Sequence, residues 1–287
     1  MSMLPLDPDQ WKARQRQEWD TVAAGWRTWW PTFERSLQVL SDHLIALAHI
    51  EAGQRVLDIA TGIGEPAVTA ARRVGPSGQV VAIDQSPDML AIARERIAAL
   101  GLQNIHVLEL DAEQLDLLEG TFDAALCRWG FMYLPQLVSA LQGVRQRLLP
   151  SGRVAAAVWP APSRVPMLSL PREVISQYIE VPSPPPGMPG IFSLSDVGRL
   201  EQAFTQAGWS SVSSESLELI LELDSAADYA QFMQAISPSL NALLASQSTE
   251  RQERIWQAVR ETVQKRYGRA DGTVRIPGET ICLVARC

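Results

Sequence analysis

Two carboxylates and a pair of glycines carry the chemistry in this chain. The segment VLDIATGIGEPA, Val56 to Ala67, runs an apolar strand into a loop with Gly62 and Gly64 and then toward a helix start. Glycines there let a ligand approach the backbone closely, and the N–H groups of the loop and the positive helix end face whatever lies over the strand's end. Taken alone, Gly62-x-Gly64-x-x-Ala67 also satisfies the relaxed dinucleotide fingerprint. Asp84 ends the next strand 22 residues after Gly62, where a carboxylate can accept both hydroxyls of a ribose. Asp58 separates the readings, since a carboxylate at that point repels a pyrophosphate and attracts a cation. It competes with a structural role in which Asp58 only satisfies loop amides. A nucleoside that carries an ammonium and a sulfonium, and no phosphate, is S-adenosylmethionine.

The elements that must position these groups alternate strand and helix over residues 51 to 159, the pattern of βαβ units on a parallel sheet. The strands are read as Arg55–Ile59, Val80–Ile83, Ile105–Leu110, Ala124–Cys127 and Val154–Trp159. Pro66 is expected at the first position of one helix and Gly75 at its end. Ser86 and Pro87 start the next helix, and Gly101 closes it. Leu137, Leu141, Val144 and Leu148 form the stripe of a third, which Pro150 is expected to end. Before this core, Leu37, Leu40, Leu44 and Leu47 fall at helical spacing, and Trp11, Trp19, Trp26, Trp29 and Trp30 place five of nine tryptophans in the first thirty residues. After it come a loop with five prolines between Val181 and Gly190, a capped helix from about Ser195 to Ala207, and an extended stretch, Val212–Leu223. Helices follow over 225–268, and Gly278–Arg286 is the last strand.

The 287 residues, 46% apolar and 20% charged, are globular in composition, and no run reaches the ~18 apolar residues of a membrane span. The N-terminus lacks the apolar core and cleavage site of a secretory signal, so the cytoplasm is the expected location. Cys127, Cys282 and Cys287 have neither disulfide-framework nor zinc-site spacing, and no metal site is expected. A net charge of −7 disfavours nucleic acid as a partner. Nothing in the sequence sets the oligomeric state.

The motif VLDIATGIGEPA, then VVAIDQSPDML, LELDAEQL, FDAALCRWGFMYL and LLPSGRVAAAVW, resembles the ordered motif set of class I S-adenosylmethionine-dependent methyltransferases over about residues 19 to 160. The group it most resembles is the ubiquinone/menaquinone C-methyltransferase-like branch. The resemblance implies a Rossmann-like α/β fold. It has a seven-stranded, mostly parallel sheet with the last strand antiparallel, helices on both faces, an N-terminal helical lid and helical insertions. The organisation is then a lid over 1–50, a cofactor-binding core over 51–160, and the rest of the sheet with substrate-side insertions over 161–287.

Carried over by residue, the resemblance implies that Asp58 lies near the methionine ammonium, that Thr61, Gly62 and Gly64 line the methionine moiety, and that Asp84 holds the ribose. Gln85 and Met89 would sit beside the adenosine, Asp111 and Ala112 at the adenine, and Cys127 would touch the cofactor through its backbone. Arg128 follows it among the cofactor-binding candidates, with Arg128 or Trp129 then facing the substrate side, and Trp26 belongs to the lid. Asp111 has a competing role as a turn cap. Trp30, Trp129, Phe131, Met132 and Tyr133, with Met188 and Phe192, are candidates for an apolar substrate wall, against an ordinary role in the core. The first glycine of the more usual pattern is replaced by Ala60.

Cys127 reads as a small core hydrophobe rather than a nucleophile, His43 and His49 as solvated, and His106 as a structural residue of a central strand. A dedicated base is optional for methyl transfer to an acceptor that is already nucleophilic, and Tyr133 and Glu65 are candidates for one. The expected reaction is methyl transfer to carbon or oxygen of an apolar or aromatic small molecule. Two alternatives stand beside it: a binding or accessory protein of the same fold without turnover, and an NAD(P)-dependent oxidoreductase.

Overall fold

The computed structural model describes residues 7–185 and 187–287; residues 1–6 of the expected lid and Pro186 of the proline-rich loop lie outside them. Seven strands form one sheet: β1 (Arg55–Ile59), β2 (Gln79–Asp84), β3 (Ile105–Glu109), β4 (Phe122–Arg128), β5 (Leu148–Val158), β6 (Ser210–Leu223) and β7 (Val274–Arg286). Their order is β3-β2-β1-β4-β5-β7-β6. Strands β1 to β5 are parallel, and β7 runs antiparallel to both β5 and β6. The order reverses between β1 and β4, and the crevice at such a switch point is where ligands bind in open α/β sheets.

Successive residues of the buried strands feed opposite layers, as the two-residue period of a strand requires. Val56, Ala82 and Leu126 join the core beneath α1 (Pro8–Leu47) and α2 (Ala67–Val74). Leu57, Ile83 and Cys127 join the other, with Leu141 of α4 (Leu137–Gln146) and Phe204 of α6 (Val197–Gln206). Helix α3 (Pro87–Ala99) begins as expected, with Ser86 Oγ accepting the Met89 N–H at 3.1 Å. The remaining helices are α5 (Pro166–Ile175), α7 (Ala226–Ile236), α8 (Pro238–Leu244) and α9 (Thr249–Tyr267).

The N-terminal region forms one continuous helix of 40 residues, about 60 Å at 1.5 Å per residue. Its first half covers the switch point, while its second half meets β6, where Ser36 Oγ accepts the Glu222 N–H at 3.3 Å. Gly25 lets α1 approach α7, because a Cβ there would run into the backbone carbonyl of Ala235.

Three local expectations are corrected. Helix α2 starts at Ala67, one residue after Pro66, and its first N–H is taken by the Asp58 carboxylate. Pro150 does not end α4, which stops at Gln146; Leu148 already opens β5 and pairs with Phe122. Strand β3 is a sheet edge rather than a centre, which leaves His106 exposed. Among the described residues, no helix is long and apolar enough to cross a membrane.

Candidate functional site

The floor of the crevice is made by the β1 and β2 ends. Ala60, Gly62 and Gly64 all have positive φ, at 56°, 55° and 102°. Ala60 thus adopts the left-handed conformation that glycine would supply, at about 1–2 kcal/mol. Nothing lies within 4 Å of the place a Gly62 Cβ would occupy, whereas one on Gly130 would meet Ala60 Cβ at 2.5 Å and Cys127 Sγ at 2.8 Å. Gly130 therefore serves packing, and Gly62 keeps space open on the cavity side.

Asp84 is braced by the loop: Oδ2 accepts the Gly62 N–H at 2.8 Å and Oδ1 the Ser86 N–H at 2.9 Å. Each oxygen retains a lone pair. Burial raises the carboxyl above its ordinary range, against the pull of those amides. Asp58 is fully buried, and its Oδ2 accepts from Thr61 Oγ1 at 2.6 Å and from the Ala67 N–H at 3.0 Å. The structural role weighed for Asp58 is therefore present on one oxygen. Its Oδ1 is buried with no hydrogen-bond partner among the described residues, and burial pushes the group up to about 7.

A cavity of about 150 Å³ opens above this floor. Of the expected residues, the structure brings Thr61, Gly62, Glu65, Asp84, Gln85, Met89, Asp111, Ala112, Arg128, Trp129, Tyr133 and Trp26 to its wall. Asp58 lies directly beneath, bonded to Thr61. Asp111 caps its turn through the Glu113 N–H at 2.9 Å and also pairs with Lys12 Nζ at 2.8 Å. Burial works against the Lys12 charge, but Asp111 and Glu113 outweigh it and raise its pKa.

Several expected residues are not on this wall. The Cys127 side chain points into the opposite core, where burial pushes its thiol well up. Gly64 packs against Ala93. Phe131 packs on Phe204, with ring centroids 6.1 Å apart, and Met132 is buried beneath α1. The Met132 carbonyl accepts the Gly190 N–H at 2.8 Å and Ser193 Oγ at 2.7 Å, which ties down the proline-rich loop. Met188 and Phe192 on that loop stay off the cavity, and Phe192 packs on the core. Trp30 is turned toward α3, where its ring covers the Arg96 guanidinium.

The roof comes from α1, and most of it was missed. Lys12, Gln15, Trp19, Trp26 and Phe33 all line the cavity. Their spacing of three, four, seven and seven residues is one helical stripe, a signal present in the sequence. Trp26 meets Phe33 edge-on at 4.7 Å, and Trp19 meets Tyr133 edge-on at 5.4 Å. Trp129, at φ 64°, stacks on Trp159 at 4.1 Å. Arg128 lies between the Phe33 and Trp129 rings, 6.0 and 5.4 Å from their centroids, and donates to Ser41 Oγ at 3.1 Å. Burial lowers its pKa, and it has no ion-pair partner among the described residues.

Such a site offers two carboxylates and glycine backbone to a polar nucleoside and an aromatic enclosure to a second, apolar molecule. Comparison with known proteins agrees. The model of a family described as "Methyltransferase domain" matches residues 56–152. The ubiquinone/menaquinone biosynthesis C-methyltransferase UbiE of Ectopseudomonas oleovorans is 33% identical over 135 residues, 47% of this chain and 74% of that one. The demethylmenaquinone methyltransferase of Thermus thermophilus is 38% identical over 120 residues, 42% of this chain and 54% of that one. The chain spans about half the length of most of the curated relatives it matches. Among solved structures, the YcgJ protein of Bacillus subtilis shares the fold at a TM-score of 0.54 and 17% identity, over 86% of this chain and 97% of that one. The chain belongs to the class I S-adenosylmethionine-dependent methyltransferases, in their ubiquinone/menaquinone C-methyltransferase-like group.

Proposed function

We propose that the chain transfers a methyl group from S-adenosylmethionine to carbon or oxygen of an apolar, aromatic small molecule. The observation that carries this reading is the pair of carboxylates under the cavity: Asp84 braced by Gly62 and Ser86, and Asp58 with a buried, unpartnered oxygen. That donor set fits the cofactor, which brings ribose hydroxyls for Asp84 and an ammonium for Asp58. It does not fit a pyrophosphate, which Asp58 would repel. When bound, the cofactor supplies an activated, electrophilic methyl group.

The chain's own task is then to align and to exclude water. Gln85 and Met89 on the cavity wall would flank the adenosine, and Asp111, paired with Lys12, would border the adenine end. Trp26 and Phe33 present aromatic faces that favour a sulfonium cation. Trp19, Trp129 and Tyr133 line the cavity with aromatic rings that would enclose a flat acceptor. The relatives named for ubiquinone and menaquinone biosynthesis support an acceptor with an aromatic ring. The first half of α1 roofs the cavity and so shields what binds there from water. The three free thiols suit a reducing compartment, and the cytoplasm is the proposed location.

The test is to incubate the protein with methyl-labelled S-adenosylmethionine and fractionated cell extract. Label is expected in an apolar small-molecule fraction. Label in protein or nucleic acid overturns the acceptor class. Tight S-adenosylhomocysteine binding with no label in any fraction favours a binding protein without turnover.

A further inference from the structure

Arg96 of α3, which does not line the cavity, faces Glu65 at the end of the glycine loop, with Nη2 3.9 Å from Oε1. Their side chains are 12% and 1% exposed, and neither of these two atoms has a hydrogen-bond partner among the described residues. The other carboxylate oxygen is fixed to α2, where Thr69 Oγ1 donates to Glu65 Oε2 at 2.7 Å. The Trp30 ring of α1 covers the guanidinium. Burial lowers Arg96 to about 10, while the charges of Glu65 and Glu34 act the other way, so it remains a cation at neutral pH.

Stability does not explain such a pair. Two charges taken out of water cost about as much as their attraction returns, and apolar side chains of the same size commonly serve as well. The other nitrogen of Arg96 supplies a reason: Nη1 donates to the carbonyl of Ile63, between Gly62 and Gly64. The approach is close, since a Cβ on Gly64 would lie in contact with that nitrogen, at 3.5 Å. The peptide so gripped is one that can turn. Gly64 has a φ of 102°, and its N–H donates to the Thr61 carbonyl at 2.9 Å. Turning the Ile63–Gly64 peptide over would carry that φ into the negative range, which glycine accepts as readily. It would take the Ile63 carbonyl off Arg96 and the Gly64 N–H off Thr61, and would reshape the loop whose Gly62 N–H braces Asp84.

We infer that Arg96 is a positioning residue for the cofactor: it holds the Ile63–Gly64 peptide in the orientation that keeps the glycine loop and Asp84 set for binding. Glu65 is the counter-charge that lets a guanidinium be buried there. Arg96 acts only through the loop. This inference rests on the cofactor reading and adds to it a residue that lies outside the cavity.

The test is a double-substitution cycle in the full chain, read by S-adenosylhomocysteine affinity, by Tm and by amide exchange at Gly64. Arg96→Met leaves Glu65 buried without a cation, so the Tm should fall. Affinity should fall about tenfold, the order of one hydrogen bond to a charged group, and Gly64 should exchange faster. Glu65→Gln leaves Arg96 buried without its anion and should lower the Tm as well. Ile63 stays held in that variant, so Gly64 should keep its protection and affinity should fall less than in Arg96→Met. In the double variant neither charge of the pair remains. Its Tm should recover above that of either single variant, while affinity and Gly64 exchange stay as in Arg96→Met. Stability and binding then part company, which a purely structural pair would not allow. Should Arg96→Met not fold, Arg96→Lys keeps a cation beside Glu65, but a single ammonium cannot fork to the Ile63 carbonyl as well. Affinity and Gly64 protection should still be lost there, with a smaller fall in Tm. Affinity that recovers together with the Tm in the double variant overturns the inference, as does unchanged Gly64 exchange in Arg96→Met. Failure of the unmodified chain to bind S-adenosylhomocysteine brings down the cofactor reading and this inference with it.

Discussion

Across the floor of the cavity, hydrogen bonds join near neighbours in the chain: Thr61 to Asp58 spans three residues, and Gly62 to Asp84 spans 22. Across the roof they span a third of the molecule or more, from Trp11 to the Tyr133 carbonyl over 122 residues and from Lys12 to Glu113 over 101. The floor is thus assembled as soon as β1 pairs with β2, and its geometry is as stable as the sheet. The roof forms only when a long helix docks, and it rests on aromatic edges and a few ion pairs. A part held that way opens at a lower free energy than the core it covers, which suits a site that must admit two ligands.

Variants should therefore separate affinity from docking. Asp84→Ala removes two charge-assisted acceptors, each about 1.5–3 kcal/mol, so S-adenosylhomocysteine affinity by calorimetry should fall a hundredfold or more. Hydrogen exchange along α1 of the ligand-free chain should be unchanged. A loss below tenfold would remove the ribose assignment. On the roof, Gly25→Val drives a side chain into the Ala235 carbonyl and should cost about 1–3 kcal/mol. Exchange in α1 should rise and the Tm fall, with S-adenosylhomocysteine affinity altered less than tenfold. An equal fall in affinity would mean that roof and floor are one cooperative unit.

Asp58 sharpens the comparison through pH. Its folded-state pKa is raised to about 7 by burial, so the native chain holds a proton that the unfolded chain releases near pH 4. The stability it contributes is fully present below about pH 4 and is lost as pH rises through 7. Asp58→Asn should therefore raise the Tm of the ligand-free protein at pH 8 relative to the parent, with the gain shrinking toward pH 5. Asp84 and Glu34 are shifted the same way, so the slope becomes shallower rather than flat. A cationic ligand favours the ionised carboxylate, and binding to the parent should release protons between pH 5 and 7. At pH 8 the variant should bind S-adenosylhomocysteine about tenfold more weakly, the order of one charged hydrogen bond. Proton release equal in both proteins would dissociate Asp58 from the ammonium.

The same division decides what could be read from the sequence. Strands β1, β2 and β4, the Ser86 cap, and Asp58, Gly62 and Asp84 follow from period, capping and short-range spacing, and the seven-stranded sheet with its antiparallel β7 was expected from family resemblance. Trp30 and Phe131 were misplaced because aromatic content does not say which face of a helix or turn meets the cavity. Trp30 follows Trp26 by four residues, yet it serves α3, whereas Trp19 and Phe33 at seven-residue steps share the Trp26 face. Gly25 carried no local signal at all, since its reason lies 210 residues away on α7. That Arg128 has no ion-pair partner among the described residues is equally invisible in one dimension, because it depends on what several separate elements fail to supply.

The smallest expected effect tests how the roof's outer end is held. Trp11 is 9% exposed, and its Nε1–H donates to the Tyr133 carbonyl at 2.9 Å. Trp11→Phe keeps most of the ring and loses the donor, a change of about 1 kcal/mol. In a chain of this length that lowers the Tm by only about 2–4 °C or less. Local opening is more sensitive, because one hydrogen bond is a larger share of what secures the first turns of α1 than of the whole fold. Amide exchange over residues 8–20 should speed up by about fivefold, while exchange in β1 and β4 stays as in the parent. If protection over 8–20 is unchanged, the ion pairs of Lys12 with Asp111 and Glu113 carry the attachment instead, and Lys12→Met should then release the segment that Trp11→Phe did not.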